Sequence, residues 1–345
     1  MRRTPVRLMV AAVLVLVVAA CGTPTAPAAP SDGCTVDALH PDAARAALDV
    51  ASAGTTVCVG GAGLRDADLT VTRSGTPDRP VVLRGIGTVV RSVHVDADHV
   101  VVEGLTTVGG DGIVLAGAGI SVRGNEVRDS ASDGISCERR CSELVIEGNT
   151  VTGTDGSGII VEGDRITVRD NTVSGSVRRA AGDADGIRFF GNGVVITGNT
   201  VRDIKDDGYG DDPPHTDCFQ TYDNSRPPTV DAVVTGNVCR NVDHQCLIAT
   251  AEESGLDGAV GRSRGIEFTD NVCDVEGSQA VLVRWFPGVT VRGNTFSGPG
   301  LDRAAIFLDG STGAGFYDNA VPAGVAAFEL DQVSRARFGT DLPEE

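Results

Sequence analysis

The chain has 345 residues, with 29 basic against 47 acidic side chains, a formal net charge of −18, 45 glycines and only 4% aromatic residues. An acidic balance of this size excludes a nucleic-acid partner, which needs a basic footprint, and it repels an anionic polymer unless a cation or a local basic groove intervenes. The length suits one large elongated domain.

Arg2, Arg3 and Arg7 precede LMVAAVLVLVVAA, a 13-residue apolar run. It is too short to span a bilayer, and residues 1–20 therefore read as a secretory signal peptide. The run ends in Val18-Ala19-Ala20-Cys21, which resembles a bacterial lipobox and implies cleavage before Cys21 and lipidation of its thiol. Residues 21–33 form a Pro/Ala-rich tether. The expectation is an exported protein on the outer face of the cell membrane or envelope, touching the membrane through its lipid anchor only. Without the leader arginines, 26 basic residues face 47 acidic ones, a net charge of −21.

Residues 34–60 are expected to form an N-terminal cap. Within TVDALHPDAARAALDVASAGTTVCV an Ala/Leu-rich pattern starts at Pro41, a favoured first-turn position, and predicts a short helix over the open end of the domain. Cys34 and Cys58 flank it and are placed to pair.

From 61 to about 330 one phrase recurs: a β-rich run, Gly-Asn or Asp-Asn, then a small apolar step, as in ISVRGNEV, LVIEGNTV, ITVRDNTV and VVITGNTV. Its asparagines fall at 125, 149, 171, 199, 237, 271, 294 and 319, at intervals of 24, 22, 28, 38, 34, 23 and 25. Between them runs a second phrase, including SDGISC, GSGIIV, ADGIRF, TDCFQT and HQCLIA. Each unit offers at least two short strands with no room for a helix. Such units bury their apolar faces only by stacking, about 4.8 Å apart, around one shared core. The fold class is thus all-β, a right-handed parallel β-helix solenoid of roughly nine to eleven coils with a short N-terminal capping helix. The Asn column reads as a ladder, since Asn tolerates the left-handed turn conformation and bonds neighbouring backbone. Residues 331–345 read as an acidic C-terminal tail.

Eight cysteines come after Cys21, and stapling accounts for them better than metal binding in an exported chain. Cys137 and Cys141 bracket a short loop. Cys239 and Cys273 share one column of the repeat and Cys218 and Cys246 another, so neighbouring coils bring each column within a disulfide's Cα range of roughly 4.4 to 6.8 Å.

The three longest intervals are consecutive, so inserted loops fall side by side and wall a groove. The loop 202–219 holds the only lysine, Lys205, with Asp207, Asp211 and Asp212 as oxygen ligands suited to Ca²⁺. In register, Asp185, Asp217 and Gln245 share one column, and Arg188, Gln220 and Ile248 the next. Gln220 and Tyr222 face out beside Arg188 and His215. His244 is placed to line the same groove, and Arg284 with Trp285, the only tryptophan, offers a sugar-stacking surface just beyond it.

On these repeats the chain resembles the pectate-lyase-like right-handed β-helix superfamily of exported proteins. The resemblance implies a polysaccharide partner and a lyase, epimerase, glycoside hydrolase or non-catalytic surface protein. In such lyases and epimerases Ca²⁺ or amides and cations neutralise a uronate carboxylate, a Lys, Arg, His or Tyr takes the C5 proton, and a Tyr or water protonates the leaving oxygen. Carried onto this sequence, Lys205, Arg188 or His215 is the base and Tyr222 or Tyr209 the acid, with Asp217 helping to hold a cation. Gln220, Asp185, His244, Gln245, Arg284 and Trp285 contact substrate. Asp212-Pro213-Pro214-His215 is similar to the Asp-Pro-His stretch of alginate epimerases, from which its doubled proline departs. A hydrolase using Asp185 and Asp217 is the rival enzyme. No organic cofactor is expected, and a monomer is.

Overall fold

A computed structural model describes residues 33–180, 182–251 and 262–342. The signal peptide, Cys21, the tether and the tip of the 248–264 insertion lie outside the described residues.

Each coil contributes one strand to a 13-stranded sheet, and the coils that begin with Ser121–Arg123 through Val289–Arg292 give two strands each to an 18-stranded sheet that wraps the other sides, those nearer the ends giving one or none. In the coil that begins with Thr167–Arg169, the chain continues through Thr172–Ser174 and Ile187–Phe190 before returning at Val195–Thr197. Thr167 then faces Val195 and Val168 faces Ile196, in parallel register. Alternation puts Ile187 and Phe189 in the core and Arg188 outside. The result is a parallel β-solenoid of about 12 turns. That exceeds the nine to eleven expected, because Thr56–Val59, Val81–Gly85 and Val100–Glu103 are coils that carry no Asn signature.

The asparagines form one unbroken ladder. The backbone N–H and side-chain amide of each donate to Oδ1 of the next, from Asn125 to Asn319, all within 2.9–3.0 Å. The left-handed residue is not the Asn but the one before it: Gly124, Gly148, Asp170, Gly198, Gly236, Asp270, Gly293 and Asp318 have φ between 52° and 67°. Only Gly, Asp and Asn enter that region cheaply, which explains the alternation of Gly-Asn with Asp-Asn.

Pro41–Asp49 is the predicted helix, N-capped by His40 Nδ1, which accepts from Ala43 N–H at 3.2 Å. Ala44, Ala47 and Leu48 face the core and close its end. The expected boundaries shift at both termini. Val36–Ala38 and Thr56–Val59 already belong to the 13-stranded sheet, so residues 34–60 form the first coil with the helix as its cap. At the other end Gly339–Thr340 adds a last strand and Phe338 packs on Phe307 and Phe328, so residues 331–342 close the solenoid and are no tail.

Cys34–Cys58 and Cys137–Cys141 are bridged as expected. The other four cysteines pair across columns, Cys218–Cys239 and Cys246–Cys273, with Cα separations of 6.1 and 5.7 Å. Cys239 and Cys273 are register neighbours, yet stacked side chains run parallel at the strand spacing of about 4.8 Å, wider than the usual Cβ separation of about 3.8 Å in a disulfide. Earlier coils show which contact the bridges replace. A Cβ on Gly186 would lie 2.4 Å from Val201, so only glycine fits there. One coil later Cys218 and Cys239 occupy the equivalent positions.

Candidate functional site

The site lies on the outer face of Ile135–Ser142, Ile159–Asp164, Ile187–Phe190, Phe219–Thr221 and Leu247–Thr250, where inserted loops crowd the sheet. Register brings Ser136, Ile160, Arg188, Gln220 and Ile248 into one outward column. The expected alignment of Arg188, Gln220 and Ile248 is therefore the observed one.

Three residues before this column, on the same coils, Asp185 and Asp217 are stacked. Asp185 Oδ1 accepts from Asp217 N–H at 2.9 Å, and Asp217 Oδ1 accepts from Gln245 N–H at 2.8 Å. Asp133, two coils earlier, accepts from Ser157 N–H in the same way. One oxygen of each carboxyl thus belongs to the scaffold, and Gln245 takes part through its main chain. Both Asp185 and Asp217 are completely buried, so the pair works from beneath the surface. Burial raises the pKa of Asp185, with Arg188 opposing it, and raises that of Asp217 well above the ordinary carboxylate range, with the Asp185 charge adding to the effect. Of the two, Asp217 is driven further toward the protonated form.

Arg188 donates from Nε to Asp185 Oδ2 at 2.6 Å, and its guanidinium also lies 2.6 Å from Asp183. Gln220 is 4% exposed; its Nε2 lies 3.4 Å from both Asp217 Oδ2 and His215 Nδ1. Its Oε1 is buried without a hydrogen-bond partner among the described residues. His215 is exposed, fixed through its own N–H to Asp183 at 3.1 Å, and its ring lies 6.1 Å from that of His244. Burial lowers the pKa of His244, whose Nε2 lies 3.5 Å from Asp206. Tyr222 meets Phe190 edge-on at 5.0 Å, and against burial its hydroxyl is among the groups that raise the pKa of Arg226, after Glu138 and Glu162. Arg188 is paired in register with Gln220, Gln220 lies beside His215 and His215 beside His244, while Tyr222 is near the Arg188 guanidinium.

Three other assignments change. Lys205 is held between Asp243 at 2.7 Å and Glu276 at 3.0 Å, and these carboxylates offset burial and raise its pKa, so it is a structural cation and no base. Tyr209 accepts a hydrogen bond from Arg178 N–H at 2.8 Å under the same arginine's guanidinium and is tied to its loop. Trp285 packs against the core with Arg284 4.3 Å from its ring centroid, and Arg284 pairs with Asp309 at 2.7 Å. That ring face is already covered.

Asp207, Asp211 and Asp212 do not assemble a Ca²⁺ cradle. Among the described residues the only set of three convergent metal-type ligands is Cys34, Asp37 and Cys58, whose two sulfurs form a disulfide. Asp212 instead faces Arg178 at 3.3 Å. Among the described residues these three carboxylates therefore form no preassembled site for the ion.

Sequence reasoning missed Asp183, Phe190 and Arg226, with the two partners of Arg226, Glu138 and Glu162. The signal available was Arg226 within the inserted stretch YDNSRPPTVDA, but its partners lie 88 and 64 residues away.

The family model of the right handed beta helix region matches residues 105–321. No curated protein matches the chain by sequence. An alginate lyase from Paenibacillus sp. str. FPU-7 superposes with a TM-score of 0.53 at 14% identity, over 86% of this chain and 97% of that one. The A-module of a mannuronan C-5 epimerase from Azotobacter vinelandii gives 0.56 at 12% identity, over 90% and 97%. PfbA, a surface adhesin of Streptococcus pneumoniae, gives 0.52 at 11%, over 85% and 89%. At these identities the likeness is one of fold. The family model, by contrast, spans more than half of the sequence, and the chain belongs to the right-handed β-helix family.

Proposed function

We propose that the protein binds and processes a polysaccharide on this wall, with a uronan as substrate and C5 proton abstraction as the chemical step. The observation that carries the proposal is the convergence of a guanidinium, an amide, an imidazole and a phenol on adjacent coils, in Arg188, Gln220, His215 and Tyr222. The fold shared with an alginate lyase and a mannuronan C-5 epimerase supports the same class. Four disulfides support an oxidising compartment, and we place the protein outside the cytoplasm, anchored through a lipid on Cys21.

In this reading Arg188 and the Gln220 amide receive the uronate carboxylate and acidify C5–H. Asp217, kept neutral by burial, supports Gln220 without repelling the substrate. With the Gln220 amide turned so that its oxygen accepts from His215 Nδ1–H, the ring presents a free Nε2, and His215 takes the C5 proton there. The C5–H electron pair becomes the C4–C5 double bond as the C4–O bond breaks, and the Tyr222 hydroxyl protonates the leaving oxygen. Reprotonation of C5 from the opposite face gives epimerisation instead.

One observation favours a second reading. Arg188 and Arg226 are each already matched by two carboxylates, a balance that suits a neutral glycan. Asp217 would then be the proton-holding acid of a hydrolase, with Asp185 as its partner.

The test is incubation of the protein with a panel of uronans and neutral glycans, with and without chelator. Unsaturated uronate, or solvent deuterium incorporated at C5, is the expected signal, lost in His215→Ala and Tyr222→Phe. New reducing ends without unsaturation establish hydrolysis. Binding with neither signal makes the protein a glycan-binding surface protein and overturns the catalytic reading.

A further inference from the structure

Two buried apolar side chains on this wall do not belong to the core. Ile160 is 2% exposed and Phe190 is fully buried. Strand alternation turns both outward, since Ile159, Val161 and Phe189 fill the core beside them while Ile160 and Phe190 are absent from it. Over Phe190 lies the segment 222–229, whose Tyr222 ring meets it edge-on at 5.0 Å. From it Arg226 reaches back to Glu162 at 3.0 Å and to Glu138, on strands two and three coils toward the N-terminus, and stacks 5.3 Å over the Phe190 ring. At the usual strand spacing that reach covers about 10 to 14 Å along the solenoid axis.

The outward column is open on one side of this point and closed at it. His94, Val114 and Ser136 line a cavity of about 460 Å³ whose wall includes Glu138. Ile160, the next position in the column, is shut off from solvent, and Arg188 and Gln220 come after it. The Arg226–Glu138 pair therefore stands between the upstream cavity and the candidate site.

We infer that Arg226 is a specificity-determining residue: it latches residues 222–229 across the groove at Ile160, so that a glycan cannot run continuously along the face and is engaged at a chain end. The barrier is a property of the fold, whereas its effect on products rests on the function proposed above, and the two are read separately. Removing Arg226 leaves Glu138 and Glu162 as exposed like charges, which then favour release of the segment.

Ile160→Cys, introduced into the full-length protein with Arg226 present or replaced by Ala, reports the barrier through its rate of alkylation by iodoacetamide. Val114→Cys, in the half-buried upstream cavity, serves as the reference in both backgrounds. The expected result is alkylation of Ile160→Cys accelerated roughly tenfold or more by Arg226→Ala, little change at Val114→Cys, and recovery of protection in Arg226→Lys. Equal rates at Ile160→Cys with and without Arg226 overturn the barrier. On any glycan that is turned over, wild type should release short products from the first time point and Arg226→Ala a broad range of lengths. The same broad range from both overturns the specificity role. An absence of turnover on every glycan removes the proposed function while leaving the alkylation result to stand.

Discussion

Replacing Asp217 by Asn probes the most perturbed carboxyl of the site and separates its structural from its chemical role. Asn retains Oδ1, which accepts from Gln245 N–H at 2.8 Å, so the inter-coil bond survives. Ala removes the acceptor and strands a donor in a buried turn, at a cost of about 1 to 3 kcal/mol. The pH dependence carries more information. Burial and the Asp185 charge raise the folded pKa above the ordinary value of 3.8, so the stability linked to this group is complete below the unfolded pKa and is lost as pH rises through the folded one. In that window the unfolded chain ionises while the folded protein holds its proton, and wild type loses about 1.4 kcal/mol per pH unit. Asn cannot ionise and is spared. A half-turn of the Gln220 side chain, which exchanges its amide O and N, lets the buried Oε1 accept from the proton on Asp217 or from the Asn amide, giving that oxygen its partner. Urea denaturation of wild type, Asp217→Asn and Asp217→Ala from about pH 4 to about pH 8 should show Asn gaining on wild type as pH rises, with Ala least stable at low pH. A pH-independent gap between wild type and Asn, or Asn as unstable as Ala throughout, refutes a neutral buried carboxyl. The same variants separate the two chemistries, because Asn keeps a hydrogen-bond donor beside a uronate and abolishes a hydrolase's proton donor.

Three further outcomes are expected. Asn237→Ala leaves the Asn199 backbone N–H without its acceptor and removes the amide donors to Ile196 O and Asn271 Oδ1; a loss of about 3 to 5 kcal/mol should appear as a lower urea midpoint with unchanged slope, and a loss below about 1 kcal/mol contradicts a working ladder. Peptide mapping without reduction should recover Cys218–Cys239 and Cys246–Cys273 and no Cys239–Cys273 peptide. Cys21→Ser should move the protein from the membrane fraction to the medium, and unaltered fractionation removes the lipid anchor from the proposal.

What the sequence made legible was whatever repeats. The spacing of the asparagines set the coil, and coil register alone aligned Arg188 with Gln220 and Asp185 with Asp217. The disulfides were within reach of the same logic, since Gly186 and Val201 mark the contact that Cys218 and Cys239 fill one coil later. A glycine shows no partner in a sequence, however, and the like-with-like column looked closer than it is. Side chains on inserted loops were the least legible. Lys205 finds Glu276 at a separation of 71 residues and Arg226 finds Glu138 at 88, and no periodicity constrains where such loops turn.

The two closures of the solenoid carry a consequence for solubility. A pile of parallel coils ends in unsatisfied main-chain donors and acceptors on both faces, a template on which another molecule can add the next layer. The helix Pro41–Asp49 shields one face, and the Phe316, Phe328 and Phe338 cluster with the short strand Gly339–Thr340 blunts the other. Trimming the chain before Ala326 would uncover a sticky platform, turning a discrete rod into a unit that grows end to end into filaments.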